Sequence, residues 1–343
     1  MVVQAASFRL DEHRFAVEGA FAQHLRSLRG VMAADFSRIV LVSPQLGAAE
    51  YAAPGHGLAI LDDRHDGIAL LPSHDGDASL GRYWTRSLPD FLRRFRASLP
   101  ADSVVQVDLA TDVRRPTTFF AGLLARILGK RVVFVVDIDY RLHAQRFRRL
   151  GIWGFKKYAF NRFVQAGFKS LQVRLAGRFY HLALLKSAAL VERFGKGRSH
   201  VQNFFDVVHS DVQVISADQL ETRLRWMRGG GSPFGICYFG RFVAYKGLDR
   251  LLEATRLIVD RGVDVRLSLI GEGPEQGHLS AKAASLGLGD VAVFHPQLAY
   301  GAPLFDRLLE EQVVVATPLI EDTPRAVFDA MARALPVVAF DTS

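Results

Sequence analysis

Short runs of β-branched and aliphatic residues alternate along this chain with stretches whose apolar positions recur every three or four residues. IVLV at 39–42 and VVFVV at 132–136 are unbroken, which is the pattern of parallel strands buried on both faces. The pattern predicts strands over 2–7, 39–43, 68–71, 104–108 and 132–137. It predicts helices over 19–32, with Phe21, Leu25 and Leu28 on one face, over 80–98 with a kink near Pro89, and over 117–128. Residues 141–185 read as helical. After GGGSP at 229–233 a second series begins, with strands over 235–239, 265–270, 291–294, 313–317 and 337–340. Its helices are expected over 247–261, 274–286, 302–311 and 324–334. Strand-helix alternation of this kind implies βαβ units and an α/β fold. A chain of 343 residues suits two domains, so the expectation is two facing doubly wound lobes, 1–230 and 231–343. Ligands are then expected at the carboxyl ends of the strands, in the cleft.

Composition narrows the class. Apolar residues make up 49% and charged residues 23%, which excludes a mostly disordered chain. No run approaches the roughly 18 apolar residues of a membrane-spanning helix. The start, MVVQAASFRLDEHRF, lacks a basic leader region and carries early acids, which argues against export. Cys237 is the only cysteine, so no intrachain disulfide is possible. A reducing, cytoplasmic compartment is expected, and Cys237 reads as a small buried hydrophobe rather than a nucleophile.

The net charge of +8 calls for an anionic partner. From Arg141 to Arg178 ten cations occur without one Asp or Glu, interleaved with Phe147, Trp153, Phe155, Tyr158, Phe160, Phe163 and Phe168. Segment 141–180 suits an anionic membrane surface, with a position on the inner face of the cell membrane as the implied location. The same residues also describe a solvated helix pair with aromatics in the core, or a nucleic-acid surface.

Two motifs carry chemistry. YFGRFVAYKG, 238–247, follows an apolar run and leads into a helix. Arg241 and Lys246 would share a small volume beside a helix N-terminus, an arrangement suited to a diphosphate; solvated surface cations are the competing reading. EDTPRAVFDAMARALPVV, 321–338, offers Thr323 as N-cap and Pro324 as first helical residue. Glu321 then stands at a helix mouth with Asp329 on the helix, where carboxylates can accept hydrogen bonds from sugar hydroxyls. A capped amphipathic helix burying Val327, Phe328 and Met331 is expected in either case. GEGPEQG, 271–277, departs from G-x-G-x-x-G because its third glycine comes one residue late.

Together GRFVAYKGLDRLLEA, LSLIGEGPE, LGLGDVAVFH and VVVATPLIEDTPRAVFDAMARALPVVAFD resemble, in order and spacing, the retaining glycosyltransferases of family 4. That family has the GT-B fold of two facing Rossmann-like domains. The resemblance runs from about Gly235 to the last residue. It implies that Arg241 and Lys246 hold the donor's diphosphate, that Glu321 meets the donor hexose and that Asp329 meets the nucleotide ribose. Asp329 is shorter than the family's glutamate by one carbon–carbon bond, roughly 1.5 Å. The resemblance also puts Gly240, Gly271, Gly273, Asp322, Thr323 and Arg325 beside the donor, with Gly19 facing its phosphate from the first domain. Where the family often has a histidine after the strand VVFVV, this chain has Asp137 and Asp139, acceptor-side candidates that also suit a helix cap.

The implied activity is transfer of a hexose from a UDP-, GDP- or ADP-sugar to a hydroxyl acceptor, lipid-linked or polysaccharide. It needs no metal or other cofactor, because the cation pair and helix dipoles face the leaving phosphate. A nucleotide-sugar epimerase of the same fold is the alternative enzyme, and a non-catalytic basic membrane- or nucleic-acid-binding protein the alternative of another class; nucleic acid is the less favoured partner. The sequence stops at residue 343, where the resembled family continues with a terminal helix, so a truncated second domain with an uncovered apolar face is expected.

Overall fold

A computed structural model describes residues 1–51, 58–136, 140, 143–186, 188–204, 207, 209, 211–229, 233–320 and 325–341. The chain folds as two compact units, Met1–Phe205 and Asp206–Ser343.

In the first unit the described strands are β1 (Phe8–Arg9), β2 (Arg14–Glu18), β3 (Ile39–Gln45), β4 (Leu58–Asp62), β5 (Ile68–Asp75), β6 (Val104–Asp108), β7 (Arg131–Val136), β8 (Leu182–Leu185) and β9 (Val201–Asn203). β6, β7, β8 and β9 form a parallel sheet in that order, and β3 pairs with β5, also parallel. Val2 bridges β3 at Val42 and β6 at Val107, so the first residues of the chain join the two sheets. β1, β2 and β4 make a small antiparallel sheet. Alternate residues of β7, Val132, Phe134 and Val136, enter one core with Ala121, Ala125, Val173 and Ala176 from two helices. Phe15, Leu25, Leu41, Leu61 and Ile68 form a second cluster beneath helix Gly19–Val31, against which Phe21 and Leu28 pack.

Several elements differ from the sequence reading. LALL in 182–185 is strand β8, not the end of a helical segment; four apolar residues carry no periodicity that separates strand from helix. β2, β4 and β9 are short strands that the pattern passes over. Where the pattern predicts a break or kink near Pro89, a π turn, Tyr83–Ser87, joins helices Leu80–Arg82 and Leu88–Ala97. Pro89 follows that turn directly, in backbone already helical at Ser87 and Leu88, and its ring supplies no N–H to a carbonyl of the preceding turn.

The second unit contains β10 (Phe234–Phe239), β11 (Val265–Ile270), β12 (Ala292–His295), β13 (Val313–Ala316) and β14 (Val337–Ala339). They form one parallel sheet in the order β12-β11-β10-β13-β14. Ile236 and Tyr238 of β10 face a cluster with Leu248, Leu251, Leu252, Leu267, Leu269 and Leu279, while Cys237 and Phe239 face Phe305, Leu308, Val314 and Ala330. Both faces are thus covered, which accounts for the unbroken apolar run. Each buried leucine stabilises the packing by roughly 1.5–3 kcal/mol; exposed pairs such as Arg250 with Glu253 add little. Cys237 is fully buried, and burial pushes its thiol far above the ordinary value.

The division at 205/206 falls before the glycine stretch where the sequence suggests a boundary. Residues 211–228 belong to the second unit: Ile215 N donates to Ala332 O at 2.8 Å, and the buried Arg223 guanidinium donates to the carbonyls of Leu309, Glu311 and Ala334. Gly229 caps helix Ala217–Arg228. The glycines therefore stand between a helix and a strand of one unit.

Candidate functional site

The strand order of the second unit reverses between β10 and β13, and α/β sheets bind ligands in the crevice outside the carboxyl ends of the strands at such a point. The loop that leaves β10 there is 240–247. Gly240 N donates to Ile270 O at 3.0 Å, Phe242 N to Glu272 O at 2.9 Å, and Glu275 N to Phe242 O at 3.1 Å. These bonds tie it to the glycine loop after β11. Phe242 is fully buried and pins the middle of the loop. On the other side Leu319 N donates to Tyr245 O at 2.8 Å, and the Thr317 hydroxyl donates to the carbonyls of Lys246 and Gly247 at 3.0 and 3.1 Å. Three carboxyl-end loops are thus one hydrogen-bonded unit.

Arg241 and Lys246 both stand on it. Arg241 is exposed and its Nη2 donates to Tyr245 Oη at 3.4 Å. The half-buried Lys246 holds Nζ 5.8 Å from the Tyr245 ring centroid. Tyr245 is a common support for the two cations that sequence spacing alone does not reveal. After the turn Ala244–Lys246, Gly247 at φ +65° opens helix Leu248–Asp260. A side chain at Gly247 would put Cβ 2.2 Å from Thr317 O.

Gly271 has φ +147°, and a Cβ there would meet Gly240 O at 2.0 Å. Gly273 lies against the main chain of Phe242. Gly271→Ala is therefore expected to lower stability by about 3 kcal/mol through forced displacement of the loop after β10. Urea unfolding checks this, and a parental midpoint would contradict the locked arrangement.

Asp329 lies on helix Arg325–Ala332 and is 3% exposed. Its Oδ1 accepts from His209 Nδ1 at 2.9 Å and from Tyr300 Oη at 3.0 Å. Burial holds the Asp329 carboxyl above its usual range, against the pull of His209 and Tyr300. Burial, and then the Asp329 charge, push the Tyr300 phenol far upward. Sequence reading misses both partners, which lie 120 and 29 positions away. Met331, expected inside, is 61% exposed; the inward face of this short helix carries Asp329, Ala330 and Ala332 instead. Arg325 opens the helix and is exposed.

Gly19 is the first residue of helix Gly19–Val31 in the first unit. Glu321, Asp322 and Thr323, and the acceptor-side candidates Asp137 and Asp139, lie outside the described residues. A recess of about 680 Å³, lined by Asp218, Thr222, Arg223, Trp226, Arg266 and Gln312, opens at the amino ends of the same strands. It is separate from the carboxyl-end loops.

Residues 233–343 match the family model of the glycosyl transferases group 1. An uncharacterized glycosyltransferase of Haemophilus influenzae is 29% identical over 108 residues, which is 32% of this chain and 30% of that protein. The chain thus spans about a third of the curated relative it matches. Among solved structures, the glycosyltransferase WaaG, involved in lipopolysaccharide biosynthesis, superposes with a TM-score of 0.62 at 14% identity over 99% of this chain and 80% of its own. Anabaena HepE in complex with UDP gives 0.57 at 16% identity over 94% and 77%. The chain has the GT-B fold of two Rossmann-like domains, and its second unit is similar in sequence to the glycosyl transferases of group 1.

Proposed function

We propose that the chain transfers a hexose from a nucleotide-diphosphate sugar to a hydroxyl acceptor, with retention of configuration and without a metal ion. The observation that carries this reading is the hydrogen-bonded set of carboxyl-end loops that presents Arg241 and Lys246 at the reversal of the strand order, inside the segment similar to the group 1 family. Two fixed cations there suit a diphosphate whose charge grows as the sugar leaves.

In the proposed reaction the bond from the anomeric carbon to the diphosphate oxygen breaks, and its electron pair stays on that oxygen. The acceptor oxygen bonds to the same face of the anomeric carbon, and its proton passes to the leaving phosphate. The products are a glycosylated acceptor and a nucleoside diphosphate. Arg241 and Lys246 neutralise the leaving group. Glu321 is assigned to the hexose, Asp322, Thr323 and Arg325 to the sugar and phosphates at the helix mouth, and Gly240, Gly271 and Gly273 to close approach of backbone to donor. Gly19 is assigned to the donor phosphate and Asp137 and Asp139 to acceptor hydroxyls. Asp329, held by His209 and Tyr300, is given a positioning role on the helix rather than a direct ribose contact. UDP bound to HepE and the lipopolysaccharide role of WaaG favour a UDP-sugar and a lipid-linked or polysaccharide acceptor.

A thermal-shift panel of UDP-, GDP- and ADP-sugars, run with and without a chelator, tests the reading. One sugar nucleotide should raise the melting temperature, and the chelator should leave that rise in place. A flat panel would contradict it. Glu321→Gln should reduce turnover more than affinity for the bare nucleotide, since only the hexose contact is lost; equal losses would remove Glu321 from that role.

A further inference from the structure

Helices Phe155–Ala159, Phe160–Gln165 and Ala166–Phe179 of the first unit run on as one, with π geometry over the middle stretch. A π turn takes up one residue more than an α turn. The step from Phe155 to Phe163 therefore spans about two turns, and the two rings fall on one side. From Phe163 the exposed positions continue at Gly167, Leu171, Arg174 and Arg178, the three- and four-residue steps of a single helical face. Phe155, Phe163 and Leu171 are 68%, 71% and 46% exposed.

The opposite face is fixed to the unit. The Gln172 side chain exchanges two hydrogen bonds of 2.9 Å with the Ala110 main chain, Gln165 Oε1 accepts from Val113 N at 3.0 Å, and Val173 and Ala176 are buried in the core. The outward face is thus held outward. The loop before the helix extends it, with Leu150 and Ile152 exposed between Arg148, Arg149 and Lys156, Lys157, which are exposed as well. This tip is packed: the Phe147 and Trp153 ring centroids are 4.9 Å apart, and Lys157 Nζ stands 5.2 Å from the Trp153 ring. From Tyr140 to Val191 the sequence contains no Asp or Glu.

We infer that this face is a docking surface for an anionic lipid bilayer, with the helix lying in the plane of the interface. Phe155, Phe163, Leu171 and Ile152 enter the headgroup–acyl boundary, and Arg148, Arg149, Lys156, Lys157, Arg174 and Arg178 meet the anionic headgroups. Apolar groups held out beside cations on one face fit a partner that offers hydrocarbon below and negative charge above. Leu150, Ile152, Val164 and Leu171 are aliphatic, exposed and unable to stack on bases, which sets the surface apart from the aromatic platforms that hold single-stranded nucleic acid. The inference goes beyond sugar transfer and does not depend on it.

Co-sedimentation of the full chain with vesicles of phosphatidylcholine alone, or mixed with phosphatidylglycerol, tests it at low and high salt. The mixed vesicles should bind the chain and the neutral ones should not, with salt weakening the binding. Each cation near such a surface is worth about fivefold in partitioning. Lys156→Glu with Lys157→Glu should therefore lower binding roughly 25-fold or more. Phe155→Ser with Phe163→Ser should lower it at both salt levels, about tenfold or more, with an unfolding midpoint equal to the parent's as the control for folding. Equal binding to neutral vesicles, no binding to either, parental binding by both variants, or tighter capture by an RNA oligomer than by the mixed vesicles would overturn the inference.

Discussion

Arg241→Glu is expected to weaken donor binding by roughly 100-fold or more, because it removes a charge-assisted hydrogen bond and sets a carboxylate against a diphosphate. The fold should survive the change. Arg241 is exposed, and among the described residues its side chain donates to Tyr245 Oη at 3.4 Å. The neighbouring loops are joined by main-chain bonds and by Thr317, which the substitution leaves in place. Titration calorimetry with the stabilising sugar nucleotide reads the loss directly. The unfolding midpoint without ligand should match the parent's within experimental scatter. Parental affinity would mean that the diphosphate lies elsewhere.

Asp329→Ala is expected to destabilise the second unit by about 3 kcal/mol. It strands His209 Nδ1 and Tyr300 Oη, which share the same carboxylate oxygen. Asp329→Asn keeps an oxygen in that place and should cost far less. The Asn variant also separates packing from titration. Because burial raises the Asp329 carboxyl above the ordinary 3.8, the folded chain favours the protonated form more than the unfolded chain does. That contribution is fully present below pH 3.8 and is lost as pH rises through the raised value. The parent should therefore gain stability relative to Asp329→Asn as pH is lowered from neutral toward 4, read as the difference in urea midpoints. A difference independent of pH would contradict the raised value.

Much of the second unit is legible from the chain because each level of its pattern agrees. Val265–Ile270 is the strand that the sequence predicts, residue for residue, and the other four strands lie within two residues of expectation. Their apolar runs are long enough, and their turns rich enough in glycine, to leave one reading. The loop carrying Arg241 and Lys246 is legible for the same reason: it falls where a strand ends and a helix begins. What escapes is whatever depends on residues far apart. Asp329 shows its position on a helix but not that His209 and Tyr300 claim it. Glu311, fully buried and bonded to Ser268 and Arg307, reads in sequence as an ordinary end to a surface helix. In the first unit Leu182–Leu185 is too short to show a period, and β2 pairs with β4 across about 40 intervening residues.

The measurement closest to the central claim is hydrogen exchange of the full chain with and without its sugar nucleotide. Donor held by the carboxyl-end loops should slow exchange at the amides of 240–247, 271–275 and 317–320 together, since main-chain and side-chain bonds make them one unit. The amides around Trp226, by the recess at the amino ends of the strands, should not change. Protection that appears around Trp226 while 240–247 stays unprotected would contradict the assignment of Arg241 and Lys246 as the diphosphate site.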